Sequence, residues 1–304
     1  MATQPVFRFA PSPNGNLHLG HAYSALYTEQ AAAEVNGRVL LRIEDIDFTR
    51  CRPEYVANCL EDLRWLGFRW HGEPRIQSRH LDLYHDALDR LRAMGLLYPC
   101  FASRQEIRNA LVNRPDWPQD PDGAPIYPGL HKQLTDREVA DFQASGLPAA
   151  WRLDMEKALQ RVPRPITFTE LGSGTSGESG RLEAHPERWG DVVLGRKDIG
   201  VSYHIAVVVD DALQGVTHVT RGQDLFHATG IHRLLQILLG LPEPLYCHHR
   251  LISDETGRKL SKSLGDRSLR SLREEGVTAD QIRTRLGFPL IADDQRPSPQ
   301  SASE

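Results

Sequence analysis

Residues 6–37 read VFRFAPSPNGNLHLGHAYSALYTEQAAAEVNG. The apolar residues from Val6 to Ala10 predict a buried strand, PSPNGN is a loop dense in turn formers, and small and apolar residues from Leu19 to Val35 predict a helix. Asn36-Gly37 supplies the stop. Strand, loop and helix in that order form the repeating unit of a parallel sheet. The pattern continues outward. RVLLRIED (38–45) predicts a second strand, PEYVANCLEDLRWLGF (53–68) an amphipathic helix stopped near Gly67, and HLDLYHDALDRLRAMG (80–95) another that ends at Gly95.

From Tyr98 to Leu194 the periodicity loosens, with prolines at 115, 118, 121, 125 and 128 and the Gly/Ser loop GSGTSGESG at 172–180. This segment is expected to be an insertion, in part a mobile one. Regularity returns with SYHIAVVVDDAL (202–213), expected as a strand ending in acids, a helix from about Asp224 to Leu239, and the strand PLYCHHRLI (244–252). Two short helices, SLRSLREEG and TADQIRTRLGF, come next, before a polar tail expected to be disordered. The expected fold is α/β, a Rossmann-type parallel sheet with an inserted subdomain and a short helical C-terminal part. Its expected divisions are 1–97 and 195–252 for the two catalytic halves, 98–194 for the insertion, 253–290 for a lysine loop with short helices, and 291–304 for the tail.

The composition is that of an ordinary globular chain: 304 residues, 40% hydrophobic and 25% charged. No apolar run approaches the roughly 18 residues that a membrane span needs. The start MATQPVFRFAPSP lacks the features of a signal peptide, so a cytoplasmic location and no membrane partner are expected. Four cysteines without CxxC spacing give neither a disulfide framework nor a standard zinc pattern. A net charge of −4 excludes a uniformly basic surface, yet Arg258, Lys259, Lys262, Arg267, Arg270 and Arg273 cluster after Thr256. That run is either a solvated face or a phosphate contact.

The chemistry lies in two short segments. NGNLHLGHAYS sets His18 and His21 three residues apart at a helix start, with Gly20 between them. A helix N-terminus attracts phosphates, a glycine lets a nucleotide approach the backbone, and two imidazoles can donate to a triphosphate. Alone, HxGH is equally compatible with packed or surface histidines. SDETGRKLSKSLG places Lys259, Ser261 and Lys262 on a loop directly after a strand, giving two ammonium groups able to clamp pyrophosphate. Alone, it reads as a solvated turn.

In this order, HLGH and KLSKS resemble the paired signatures of class I aminoacyl-tRNA synthetases. RFAPSPNGNLHLGH, LLRIEDIDFTR, SYHIAVVVDD and GVTHVTRGQDL extend the resemblance to the glutamyl and glutaminyl branch, from Arg8 to Ser263. It implies Mg2+ as cofactor and ATP bound at Pro11, His18, Gly20, His21, Lys259, Ser261 and Lys262, with His18, His21 and Lys262 catalytic. A glutamate pocket needs cations for two carboxylates and an acid for the ammonium. By resemblance, Arg8, Phe9, Ala10, Ser12, Glu44, Tyr203 and Arg221 form it, with Arg8 on the side-chain carboxylate. A neutral amide would leave Arg8 unpaired, which favours glutamate over glutamine. The plainer alternative is that Arg8 and Glu44 simply pair with each other.

Only 41 residues follow Ser263 in a chain of 304. Together with GVTHVTRG and Val207, this short extension resembles the glutamyl-Q tRNA(Asp) synthetase family, which makes glutamyl-adenylate without RNA and places L-glutamate on queuosine in the anticodon of tRNA(Asp). The resemblance implies a tRNA(Asp) anticodon stem-loop as partner, and a monomer is expected. That family often carries an inserted zinc site. Here only Cys100, Tyr127 and His131 remain as candidates where a structural zinc takes four ligands, so no structural zinc is expected. Rival readings are a shortened enzyme esterifying the terminal ribose of tRNA(Glu), a nucleotidylyltransferase, and a non-catalytic RNA-binding paralogue.

Overall fold

Four buried residues, Val6–Phe9, form the strand β1, and their alternation assigns both faces of the sheet. The computed structural model describes residues 4–198, 200–252 and 267–290. After β1 come α1 (Leu19–Glu34), β2 (Arg38–Ile43), α2 (Pro53–Trp65), β3 (Arg75–Ile76), α3 (Leu81–Ala93), β4 (Leu97–Cys100), α4 (Arg104–Leu111) and α5 (Asp136–Ala144). Next are β5 (Ala150–Leu153), α6 (Met155–Gln160), β6 (Thr167–Glu170), β7 (Gly180–Glu183), β8 (Val193–Gly195) and α7 (Tyr203–Leu213). The chain continues through β9 (His218–Gly222), α8 (Thr229–Leu239), β10 (Leu245–His249), α9 (Leu269–Glu274) and α10 (Ala279–Leu286).

The main sheet has the order β3-β2-β1-β9-β10-β6-β7 and is parallel except for β7, which runs antiparallel to β6. Phe7 and Phe9 of β1 join Val39, Leu41 and Ile43 of β2 in one core with α1, α2, α9 and α10. Val6 and Leu40 face the other core, which contains α3, α7 and α8. Helices thus cover both faces, as a parallel sheet requires. The strand order grows outward from β1 in one direction and from β9 in the other. The switch point between β1 and β9 is where such sheets open a crevice at the carboxyl ends of the strands.

Two expectations change. SYHIAVVVDDAL is the helix α7, with Ser202 as its N-cap, so Tyr203 opens a helix and not a strand. Its residues 205–211 are all buried, so the run has no polar face to reveal a helical period, and its valines imitate a strand. The strands of 98–194 also do not stay together. β4, β5 and β8 form a separate antiparallel sheet, whereas β6 and β7 extend the main one, and the loop 172–180 joins these two. The short helices α9 and α10 occur as expected and share the core of α1 and α2. The KLSKS segment and the polar tail lie outside the described residues.

Candidate active site

The helix α1 begins with two imidazoles acting as caps. His18 is its N-cap, and its Nδ1 accepts from the Gly20 amide at 3.0 Å; the His21 Nδ1 accepts from the His18 amide at 3.2 Å. An Nδ1 that accepts an amide hydrogen carries no proton of its own, so both rings hold theirs on Nε2. The rings lie 3.9 Å apart between centroids. Gly20 is required by this closeness, since a Cβ there would meet the His18 ring at 2.9 Å.

A cavity of about 870 Å3 opens at the β1/β9 switch point. Arg8, Phe9, Ala10, Pro11 and Ser12, from β1 and the loop after it, line it together with His18, Gly20 and His21. Glu44, directly after β2, Tyr203, the first residue of α7, and Arg221, inside β9, complete the set of expected residues. The cavity gathers all eleven expected residues that fall within the described part of the chain. Lys259, Ser261 and Lys262 lie outside it, although both flanks of that segment reach the site: Leu251 and Ile252 line the cavity, and Ser268 pairs with His18.

Arg8 is 3% exposed, and it forms its ion pair with Asp211 of α7, not with Glu44. Its Nε donates to Asp211 Oδ1 at 3.0 Å and its Nη1 to the Thr220 carbonyl at 3.0 Å, which leaves Nη2 for a ligand. Asp211 also receives Arg42 Nη1 at 2.8 Å. Burial pushes the Asp211 carboxyl up, but Arg8 and Arg42 outweigh it and hold the group below its usual range. Glu44 is 3.3 Å from Arg42, and there burial wins, pushing its carboxyl up against Arg42 and Arg8. An arriving ammonium would restore the charge that burial disfavours.

Arg221, 5% exposed, is held differently. Its Nε donates to His248 Nε2 at 3.0 Å, its Nη1 to His232 Nδ1 at 2.9 Å and its Nη2 to Thr229 Oγ1 at 2.7 Å. Burial, with Arg221 adding repulsion, lowers His232 well below its usual value. Burial likewise brings His248 down to about 4. All three acceptors are therefore neutral at physiological pH, and no described carboxylate lies within ion-pair distance of Arg221. A buried guanidinium with neutral partners is a receptor for an anion.

The zinc candidates Cys100, Tyr127 and His131 do meet, but they occupy one another. The Cys100 thiol donates to Tyr127 Oη at 3.3 Å, the same oxygen accepts from the His131 amide at 2.9 Å, and His131 Nδ1 accepts the amides of Phe101 and Ala102 at 3.0 and 3.1 Å. This set does not fit a tetrahedral metal, and no cluster of three or more potential metal ligands occurs among the described residues.

Sequence reasoning passed over Arg50, Thr220, Asp224, His249 and the acid Asp211. Asp211 sat inside a run read as strand. Thr220 and His249 come from late strands, and only the sheet order brings them beside β1.

The family described as tRNA synthetases class I (E and Q), catalytic domain, matches residues 5–287. A glutamyl-Q tRNA(Asp) synthetase of Rhodobacter capsulatus is 46% identical over 290 residues, 93% of this chain and all of that one. A second of the same name, from Symbiobacterium thermophilum, is 38% identical over 92% of this chain and 85% of its own. Among solved structures, a glutamate tRNA ligase from Elizabethkingia meningosepticum in complex with its amino acid superposes with a TM-score of 0.70 at 26% identity, covering 95% of this chain and 54% of that one. This chain therefore spans about half the length of that ligase. No described helix is long and apolar enough to cross a membrane. With the switch-point cavity, the histidine-capped helix and matches over nearly its whole length, the chain belongs to the class I tRNA synthetases of the E and Q branch, and so to the ligase enzymes.

Proposed function

We propose that this enzyme joins L-glutamate to ATP to form glutamyl-adenylate without RNA, and then transfers the glutamate to queuosine in the anticodon of tRNA(Asp). The observation that carries the first half is the pair of buried guanidiniums with unequal company. Arg8 keeps one edge for a ligand, Arg221 has neutral partners alone, and Glu44 stands in the same cavity for the ammonium. Two carboxylate receptors and one acid match an acidic amino acid.

In this reading an oxygen of the glutamate α-carboxylate attacks the α-phosphorus of ATP, and the bond to the bridging oxygen breaks to release pyrophosphate. His18 and His21, with Nε2 protonated, donate to the phosphates at the positive end of α1, beside Gly20, and Pro11 borders the nucleotide. Lys259, Ser261 and Lys262 are assigned to the departing pyrophosphate by sequence alone. Glu44 and Asp224 are the described carboxylates on the cavity wall, so Mg2+ would travel on the nucleotide, whose phosphate charge it offsets. No protein nucleophile takes part; catalysis is positioning and charge stabilisation. A ring hydroxyl of the modified base then attacks the activated carbonyl and AMP departs.

The acceptor is supported by the relatives whose name specifies glutamyl-Q and tRNA(Asp), one of them matched along its whole length. Pyrophosphate exchange with ATP and glutamate in the absence of RNA tests activation. Labelled glutamate should enter only tRNA that contains queuosine. Equal labelling of pools with and without the modified base would favour esterification of a terminal ribose and overturn the proposed acceptor.

A further inference from the structure

His248 sits between Arg221 and Glu170, a carboxylate of β6 that does not line the cavity. Both side chains are fully buried. Glu170 Oε1 accepts two backbone amides, Gly172 at 2.9 Å and His248 at 2.8 Å, and Glu170 Oε2 lies 2.6 Å from His248 Nδ1. A Cβ at residue 172 would come within 2.4 Å of the His248 carbonyl, so the turn closes this tightly only with glycine there.

We infer that Glu170 is a positioning residue for substrate recognition: by fixing the proton of His248 on Nδ1 it turns the Nε2 lone pair toward Arg221 and so aims that guanidinium at the substrate carboxylate. The inference rests on the proposed role of Arg221 as a glutamate receptor. The logic is one of donors and acceptors. Arg221 Nε only donates, so His248 Nε2 must accept. A carboxylate only accepts, so His248 Nδ1 must donate. Burial strengthens this arrangement, because it holds His248 neutral and leaves no second proton to spoil it. The same pattern repeats at Arg221 Nη1, where His232 Nδ1 accepts and His232 Nε2 lies 3.2 Å from His204 Nδ1.

The variant Glu170→Gln tests the inference at constant volume. The two backbone amides require an oxygen at the Oε1 position, so the amide nitrogen must face His248 Nδ1. That reverses the tautomer and sets Nε2–H against Arg221 Nε–H. The expected result is a rise of roughly ten- to a hundredfold in the KM for glutamate in pyrophosphate exchange, with the KM for ATP unchanged. In a His248→Gln background, where no tautomer exists, the same substitution should add less than about twofold. Additive effects, or equal rises in both KM values, would indicate a merely structural role and overturn the inference.

A second measurement needs no variant. Nitrogen NMR of histidine-labelled native protein near neutral pH should give the Nδ1–H form for His248, and the Nε2–H or doubly protonated form would also overturn the inference. Arg221→Gln separates the two claims. If that variant keeps its KM for glutamate, the proposed receptor fails while the tautomer result still stands; if it raises KM and Glu170→Gln does not, the positioning role alone fails.

Discussion

At the scale of the residue, this site depends on which atom holds a proton. His18 and His21 cap α1 through Nδ1 and so present protonated Nε2 atoms, which makes Gly20 the most sensitive small residue nearby. Gly20→Ala should displace the His18 ring and lower the rate of adenylate formation by up to roughly a hundred- to a thousandfold, the value of one transition-state donor, while the unfolding midpoint moves little. Stopped-flow activation and urea melts measure the two effects. Arg8→Gln removes the open Nη2 edge and leaves Asp211 paired with Arg42. It should raise the KM for glutamate about ten- to a hundredfold and narrow the preference over glutamine. Glu44 supplies a pH dependence. Burial raises its pKa, so the free pocket takes up a proton sooner on acidification than an ordinary carboxylate would, and a protonated acid cannot pair with an ammonium. The KM for glutamate should therefore rise on acidification at a pH above the ordinary carboxylate range, and a flat profile there would remove Glu44 from the ammonium site.

At the scale of the element, α7 separates what the sequence discloses from what it withholds. The first strand, its loop and α1 were legible because apolar periodicity, turn formers and the Asn36-Gly37 stop agree; Asn36 indeed takes a positive φ of 55°. Arg8 and Glu44 were legible as candidates through the family resemblance, and the fold places them in β1 and directly after β2, where a parallel sheet builds its ligand sites. α7 was not, since a helix buried on every side presents no polar stripe, and its β-branched residues favour a strand by propensity alone. Its acids explain themselves only in three dimensions. Asp210, fully buried, receives Arg75 Nε at 2.7 Å, Gln77 Nε2 at 2.9 Å and Tyr84 Oη at 2.9 Å, and so ties α7 to β3 and α3. Asp210→Ala strands Arg75 and Arg42 beside one carboxylate fewer, and should cost about 3–5 kcal/mol in urea unfolding. A loss below about 1 kcal/mol would show that α7 is anchored by its apolar contacts alone.

At the scale of the whole molecule, the substrate cavity and the most strongly shifted histidines share one core, so acidity should act on stability and recognition together. His204 and His248 are brought down to about 4, burial being the largest cause in each, and His232 is lowered well below its usual value for the same reason. A histidine whose pKa is depressed by folding stabilises the native state fully above its unfolded value near 6.5, and that contribution fades as pH falls toward the folded value. For the fully buried His248 the loss is on the order of 3 kcal/mol, a large share of the roughly 5–15 kcal/mol that holds a domain together. Glu170 and Asp211, both held below the usual carboxylate range, lose stabilisation in the same direction at still lower pH, whereas Glu44 gains by taking up a proton. Asp62, raised to about 6 by burial, gains in the same way, but Glu44 and Asp62 are opposed by His204, His232 and His248 and by the lowered His131, His218, His227 and His249, so the net slope is toward instability in acid. The urea midpoint should fall steadily between about pH 6.5 and about pH 4, and His248→Gln, lower in stability at neutral pH, should have a flatter profile across that window. A wild-type midpoint constant through the window would mean that these histidines are not held neutral around Arg221, and the receptor built on them would have to be given up.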